Sequence, residues 1–327
     1  MPNKTLLIGG FILASTMFNI NSTHADGSLV TAPQWSTPQR SSINWNEPQG
    51  SQTQQLEGSE RSYSFEQIDN KYSAPIWFPN PLSPMPPIVQ FGKGKKVWAC
   101  ASCHLASGMG HPESSRLAGL SSDYMQKQMQ AFKTGDRVDY SGHMNRMAPL
   151  ITAAETKEIA DWFATLKPIK WYDVIEQMQV PRTIVDNTRM RILNSDAYPD
   201  TENTLEDINQ RIIELPTDIL KVKKRSPTTG FTAYVEPGSI KRGKEASTKY
   251  ACNACHGAFL QGSIIAPNIA GISPIYLVRQ LYSFKNGQRK GENSDKGAMM
   301  SNLSKQMKTT EISDLASYIA TLKPQGE

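Results

Sequence analysis

The four cysteines of the chain fall into two runs of one spacing, Cys100-Ala101-Ser102-Cys103-His104 and Cys252-Asn253-Ala254-Cys255-His256. Each reads C-x-x-C-H. Two thiols at this spacing can add to the two vinyl groups on one edge of a porphyrin, and the histidine that follows is placed to bind its iron. C-x-x-C pairs also bind zinc, or form thioredoxin-like redox sites in a βαβ setting. Here both pairs carry a histidine and stand far apart, so the first expectation is two covalently attached haems c, with iron bound by His104 and His256. All four cysteines are used, and none is left for a structural disulfide.

A haem iron bound by histidine on one side has a second axial ligand or an open position, and that choice separates a carrier from a catalyst. An internal repeat narrows the choice. Ala118-Gly119, Tyr124, Gln128, Phe132, Lys133, Gly135 and Arg137 recur 152 residues later as Ala270-Gly271, Tyr276, Gln280, Phe284, Lys285, Gly287 and Arg289. Later the offset is 156, and Ala164-Thr165-Leu166-Lys167-Pro168 returns as Ala320-Thr321-Leu322-Lys323-Pro324. In that register Met144 meets Met300, whereas Met147 meets Leu303 and His143 meets Met299. Met144 and Met300 are therefore the expected sixth ligands, against the ordinary role of methionine as a core filler. His143 and His111 are the competing ligands at the first iron.

The elements that must hold these residues are mainly helical. Ser121 or Ser122 caps an expected helix over 121–134, with Tyr124, Met125, Gln128, Met129 and Phe132 on one face. Thr152 with Glu155 forms a capping box for a helix over 152–166, which Lys167-Pro168 ends. Counterparts are expected over 273–285 and 310–322. Between the repeats, Arg182–Val185, Arg189–Leu193, Arg211–Leu215 and Phe231–Val235 are β-branched runs bounded by turn residues and read as strands.

Before the first repeat, Ser64 and Gln67 suggest one short helix. Five prolines between Trp77 and Pro87 then point to an extended apolar arm, either wrapped over the first haem module or an unstructured linker. The expected organisation is a signal segment at 1–25, an arm at 26–90, modules at 91–170 and 238–327, and a connector at 171–237. The signal rests on Lys4, the apolar stretch Leu6–Phe18 and a cleavage pattern at Thr23-His24-Ala25. Export to the periplasm is the implied location. Residues 1–25 hold one lysine and no acid, so their removal takes the formal net charge from +5 to +4. So mild a balance argues against nucleic acid as a partner. Lys93, Lys95 and Lys96, and Lys221, Lys223, Lys224 and Arg225, are read as a solvated face or a docking site for an acidic protein.

Each repeat resembles a class I cytochrome c, and the pair resembles the tandem two-haem cytochromes c exported by bacteria. The resemblance covers roughly 91–168 and 239–324, not the arm or the connector. It implies a mainly α fold of two tandem helical modules, here with a small β-rich connector and an extended N-terminal arm. It also implies that the Pro267 carbonyl accepts a bond from the proximal imidazole, with Ser115 standing there in the first copy. Arg137 and Arg289 are read either as partners of the haem propionates or as solvated. The implied function is single-electron transfer between a dehydrogenase and a terminal oxidase or reductase, without catalysis. A fixed subunit of a larger oxidoreductase, and a two-haem peroxidase or thiosulfate-oxidising enzyme, are the alternatives.

Overall fold

The computed structural model describes residues 31–47, 53–290 and 295–324; the expected signal segment lies outside them. In the first module the motif residues form the short helix Cys100–His104, followed by Ser122–Thr134, His143–Met147 and Ala153–Ala164. Local chemistry sets the ends. The Ser121 side chain accepts the Tyr124 N–H at 3.2 Å, and Gly135 closes the helix in the left-handed conformation at φ 83°. Thr152 and Glu155 exchange bonds of 3.2 and 2.8 Å, a complete capping box.

The second module contains Ser239–Lys249, Cys252–His256, Pro274–Lys285, Asp295–Gln306 and Thr309–Thr321. Two of these helices escape the pattern reading. Ser239–Lys249 buries only Ser239, Gly243, Ala246 and Ser247, a stripe too small and polar to register as a hydrophobic period. Gly243 shows why the stripe is small, because a Cβ there would lie 2.0 Å from the Asp314 carbonyl oxygen of Thr309–Thr321.

The repeated Ala-Gly turns have one structural job. Gly119 and Gly271 both have positive φ, 78° and 66°, and their N–H groups donate to Leu166 and Ile319 near the end of each module's last helix. A Cβ would strike Pro168 Cγ at 2.8 Å in one copy and the Leu322 carbonyl at 2.8 Å in the other. Each module has its own apolar core: Val89, Met125, Ile159 and Phe163 in the first, Leu277, Leu281, Ile312 and Leu315 in the second.

Between the modules, Tyr172–Glu176 pairs in parallel with Phe231–Val235, which pairs antiparallel with Ile213–Pro216. Two further two-stranded ladders join Gln179–Pro181 to Leu205–Asp207 and Thr183–Val185 to Arg191–Leu193. The side chains of Trp171, Tyr172, Met190, Ile192, Val222 and Phe231 pack against Leu105 and Met109 of the first module.

The arm also packs on its neighbours. Trp77 Nε1 donates to the Lys224 carbonyl at 2.7 Å, and Ala74 and Met85 join the first module's core. The proline run does not exclude helix throughout. Pro87 is the first residue of Pro87–Phe91, where its missing N–H leaves no bond unmade.

Candidate haem sites

His104 and His256 end their short helices buried, at 9% and 7% exposure. Each Nδ1 lies 2.8 Å from a carbonyl oxygen eleven residues on, that of Ser115 in one copy and Pro267 in the other. Burial holds both imidazoles below the usual histidine range, and the carbonyl bonds oppose it only in part. The rings are therefore neutral near pH 7. The bonded carbonyl fixes the proton on Nδ1 and leaves the Nε2 lone pair free for a metal. The serine copy makes the same contact at the same length as the proline copy.

One cavity of about 1240 Å³ reaches both imidazoles. Its walls are mostly apolar and include all four cysteines, Met144 and Met300. Burial pushes the Cys100 thiol up to about 12 and also raises Cys252. Both sulfurs are thus protonated thiols until they react. These residues fit a covalently bound macrocycle: a largely apolar space, paired thiols at its wall and a pre-oriented neutral imidazole. Among the described residues no three His, Cys, Asp or Glu side chains converge as a compact metal site of the zinc type.

The other sulfurs and imidazoles separate by environment. Met147 is buried, and its Sδ lies 3.4 Å from the Trp98 amide. Met109 and Met125 lie in the apolar cores, and Met299 is 56% exposed. His143 and His111 also line the cavity. His143 lies against the Trp98 ring at 4.7 Å, and His111 Nδ1 faces Glu113 at 3.9 Å.

Arg137 and Arg289 are not solvated. Both are buried, at 7% and 8%, and they meet at the boundary between the modules. Arg137 donates to Gln128 of its own module and to Tyr276 and Gln280 of the other, at 2.8–3.0 Å. Arg289 donates to Gln280 of its own module and to Tyr124 and Gln128 of the first, at 2.6–2.9 Å. The repeated Tyr, Gln and Arg thus form a two-fold clasp. The pattern signalled it, since polar residues recurred at equal spacing, but one copy gives no hint that the partners lie in the other.

The basic run 221–225 also turns out differently. Lys221 is exposed, but Lys223 is buried in an ion pair with Asp186. Arg225 binds the carbonyls of Ile68 and Ser102, which joins arm, connector and motif helix. As a docking face the run is reduced to its first residue and the half-buried Lys224.

A family model described as cytochrome c matches residues 91–167 and 240–323. Both modules are cytochrome c domains. They carry two covalently attached haems c, and the chain is an electron-transfer cytochrome. It is 23% identical over 227 residues to cytochrome c-552 of Acidithiobacillus ferridurans, an alignment covering 68% of this chain and 73% of the relative. It is 25% identical over 236 residues to a thiosulfate dehydrogenase electron acceptor of Stutzerimonas stutzeri, covering 71% and 83%. The solved structure of cytochrome c4 from Acidithiobacillus ferrooxidans aligns with a TM-score of 0.44 at 23% identity, covering 68% of this chain and 98% of that one. Among the described residues no helix is long and apolar enough to cross a membrane.

Proposed function

We propose that the protein is an exported, periplasmic carrier that takes single electrons from a dehydrogenase and delivers them to a terminal acceptor. In this reading Cys100 and Cys103, and Cys252 and Cys255, form the thioethers. His104 with Met144, and His256 with Met300, are the axial pairs. Haem c supplies a one-electron couple at its iron. The chain's own residues do the rest. The Ser115 and Pro267 carbonyls hold the imidazoles in the ligating tautomer, the apolar walls exclude water, and thioether sulfur favours the reduced metal.

The carrying observation is the repetition of one complete set: buried neutral histidine, carbonyl at 2.8 Å, paired cysteines and a methionine, all on one cavity. The name of the Stutzerimonas relative makes a thiosulfate dehydrogenase one candidate donor. A fixed-subunit role would use the arm and connector as docking elements. Their best anchors, Trp77, Lys223 and Arg225, are instead spent on contacts within this chain, which favours the free carrier.

The test is spectroscopic. Ferric protein is expected to show the weak far-red sulfur-to-iron band, and ferrous protein to resist carbon monoxide. Met300→Ala is expected to remove half of that band and open one haem to carbon monoxide. Ready carbon monoxide binding by the unmodified protein would replace the carrier with a catalyst.

A further inference from the structure

The two ends of the cavity are not equivalent. At the first module the arm and connector contribute to its walls, with Lys71, Arg189, Met190, Lys223 and Arg225 among them; the second module's end is lined by its own residues. Two buried polar atoms without a partner belong to residues that line the cavity, Tyr140 Oη from the first module and Arg189 Nε from the connector. The Arg189 charge is close enough to act on the Tyr140 hydroxyl. An unpaired buried donor is costly, so two at one place mark an acceptor that belongs there.

Arg189 is held deliberately. It has φ 73°, a left-handed conformation unusual for a side chain of this size. The turn that imposes it is over-determined. Asp186 Oδ1 accepts the Thr188 and Met190 amides at 2.8 and 3.1 Å and the Thr188 hydroxyl at 2.7 Å. Asp186 is itself fully buried against Lys223. Met190, 3% exposed, plugs the turn into the apolar cluster around Leu105 and Met109. Strain so supported is characteristic of functional positions.

The other cations nearby already have acceptors. Arg137 is bonded to Gln128, Tyr276 and Gln280, and Arg279 to the carbonyls of Ser36 and Pro112 while lying 4.7 Å over the Tyr140 ring. Asp139 and Glu113 are the acids that act on Tyr140. Haem c carries two carboxylates and no other anionic group, so a carboxylate is the acceptor that suits a guanidinium and a phenol together.

We propose that Arg189 and Tyr140 bind a carboxylate of the haem in the first module, and that the connector thereby tunes that haem alone. Arg189 lies outside both segments that match the cytochrome c family, and it has no counterpart in the repeat. A fixed positive charge beside a macrocycle favours the reduced iron, which carries one positive charge fewer. The first haem is raised in potential relative to its own module without the connector. The proposal rests on haem occupancy of the first module, not on which protein exchanges electrons with it.

The test is a redox titration of the intact two-haem protein with resonance Raman of the propionate bending bands. Arg189→Met is expected to lower one midpoint potential, leave the other in place and shift one propionate band. Arg189→Lys is expected to restore most of the potential, since it returns the charge. Tyr140→Phe, which removes a donor without changing charge, is expected to shift the same band. Two haems with both potentials and both bands unchanged in Arg189→Met would overturn the proposal. So would equal displacement of both potentials, which would mark a general charge effect. If Arg189→Met fails to fold, an unmoved band in Tyr140→Phe overturns the proposal as stated.

Discussion

Arg137 and Arg289 lie backbone to backbone across the module boundary, as an isolated antiparallel bridge, and each guanidinium reaches the tyrosine and glutamine of the opposite module. Two like charges are tolerated there because every neighbour offers oxygen, and each planar cation rests on its own phenylalanine, Phe132 or Phe284, at 4.5 Å. The flanking amides tighten the seam, Val138 donating to Gln288 and Lys290 to Asp136, both at 2.8 Å. Arg137→Ala is expected to cost roughly 1.5–3 kcal/mol, the range for bonds to a charged group, and to loosen the pairing of the modules. Denaturant unfolding measures the cost. The double variant with Arg289→Ala is expected to cost less than the sum, because both arginines share Gln128 and Gln280.

Gly243 lets two helices of the second module touch backbone to backbone. Gly243→Ala places a carbon where the Asp314 carbonyl already is, and one helix must move. The expected loss is roughly 1–3 kcal/mol, typical of overpacking, with the second module melting first. A Tm equal to the unmodified protein's would show that the Ser239–Lys249 helix yields freely.

Module helices were legible because the helix period, the Ser121 and Thr152 caps and the two Lys-Pro stops agree with one another. The haem motif was legible because it is local. What the chain hid is what depends on partners far away in sequence. The Arg137–Tyr276 bond spans 139 residues, and the burial of Lys223 depends on Asp186 folding back against it. A lysine in a run of basic residues looks solvated until the carboxylate that neutralises it is in view. The Asp295–Gln306 helix, which carries Met300, is hidden likewise, because it lacks the clear apolar stripe that marks the closing helices.

The Asp186–Lys223 pair is expected to be essential to the connector. Lys223→Met leaves Asp186, fully buried, with no counter-charge, and such losses run to roughly 3–5 kcal/mol. Replacing both, Asp186→Leu with Lys223→Met, is expected to recover part of the stability. It would not restore the 186–190 turn, whose amides need the carboxylate. Calorimetry of the three variants separates the two effects.

Glu214 ties the connector to the second module, since its carboxylate accepts the Ser273 hydroxyl and the Ile275 amide, each at 2.8 Å, at the start of Pro274–Lys285. Burial nonetheless raises it from 4.5 to about 7. A carboxyl that holds its proton more tightly when folded contributes stability that is full below 4.5 and is lost as pH rises to about 7. Thermal stability is therefore expected to fall across that interval, and Glu214→Gln to flatten the fall. A slope unchanged by the substitution would assign it to another group.

Removing one macrocycle tests how far each module is built around its own. The wall of the second site includes Leu277, Leu281, Met307, Leu315 and Ile319, which are also the module's core. Apolar surface left facing water there costs about 25 cal/mol per Å². Ile212 and Val235 of the connector already pack on that core, while the connector's cluster around Trp171 and Phe231 packs on Leu105 and Met109 of the first module. The double variant Cys252→Ala, Cys255→Ala is expected to carry one haem by mass, lose helical circular dichroism and show a separate low-temperature transition. The first module, with its own core and the connector against it, is expected to keep its haem spectrum. A one-haem protein that melts in one step at the unmodified temperature would mean that the second module folds without its macrocycle.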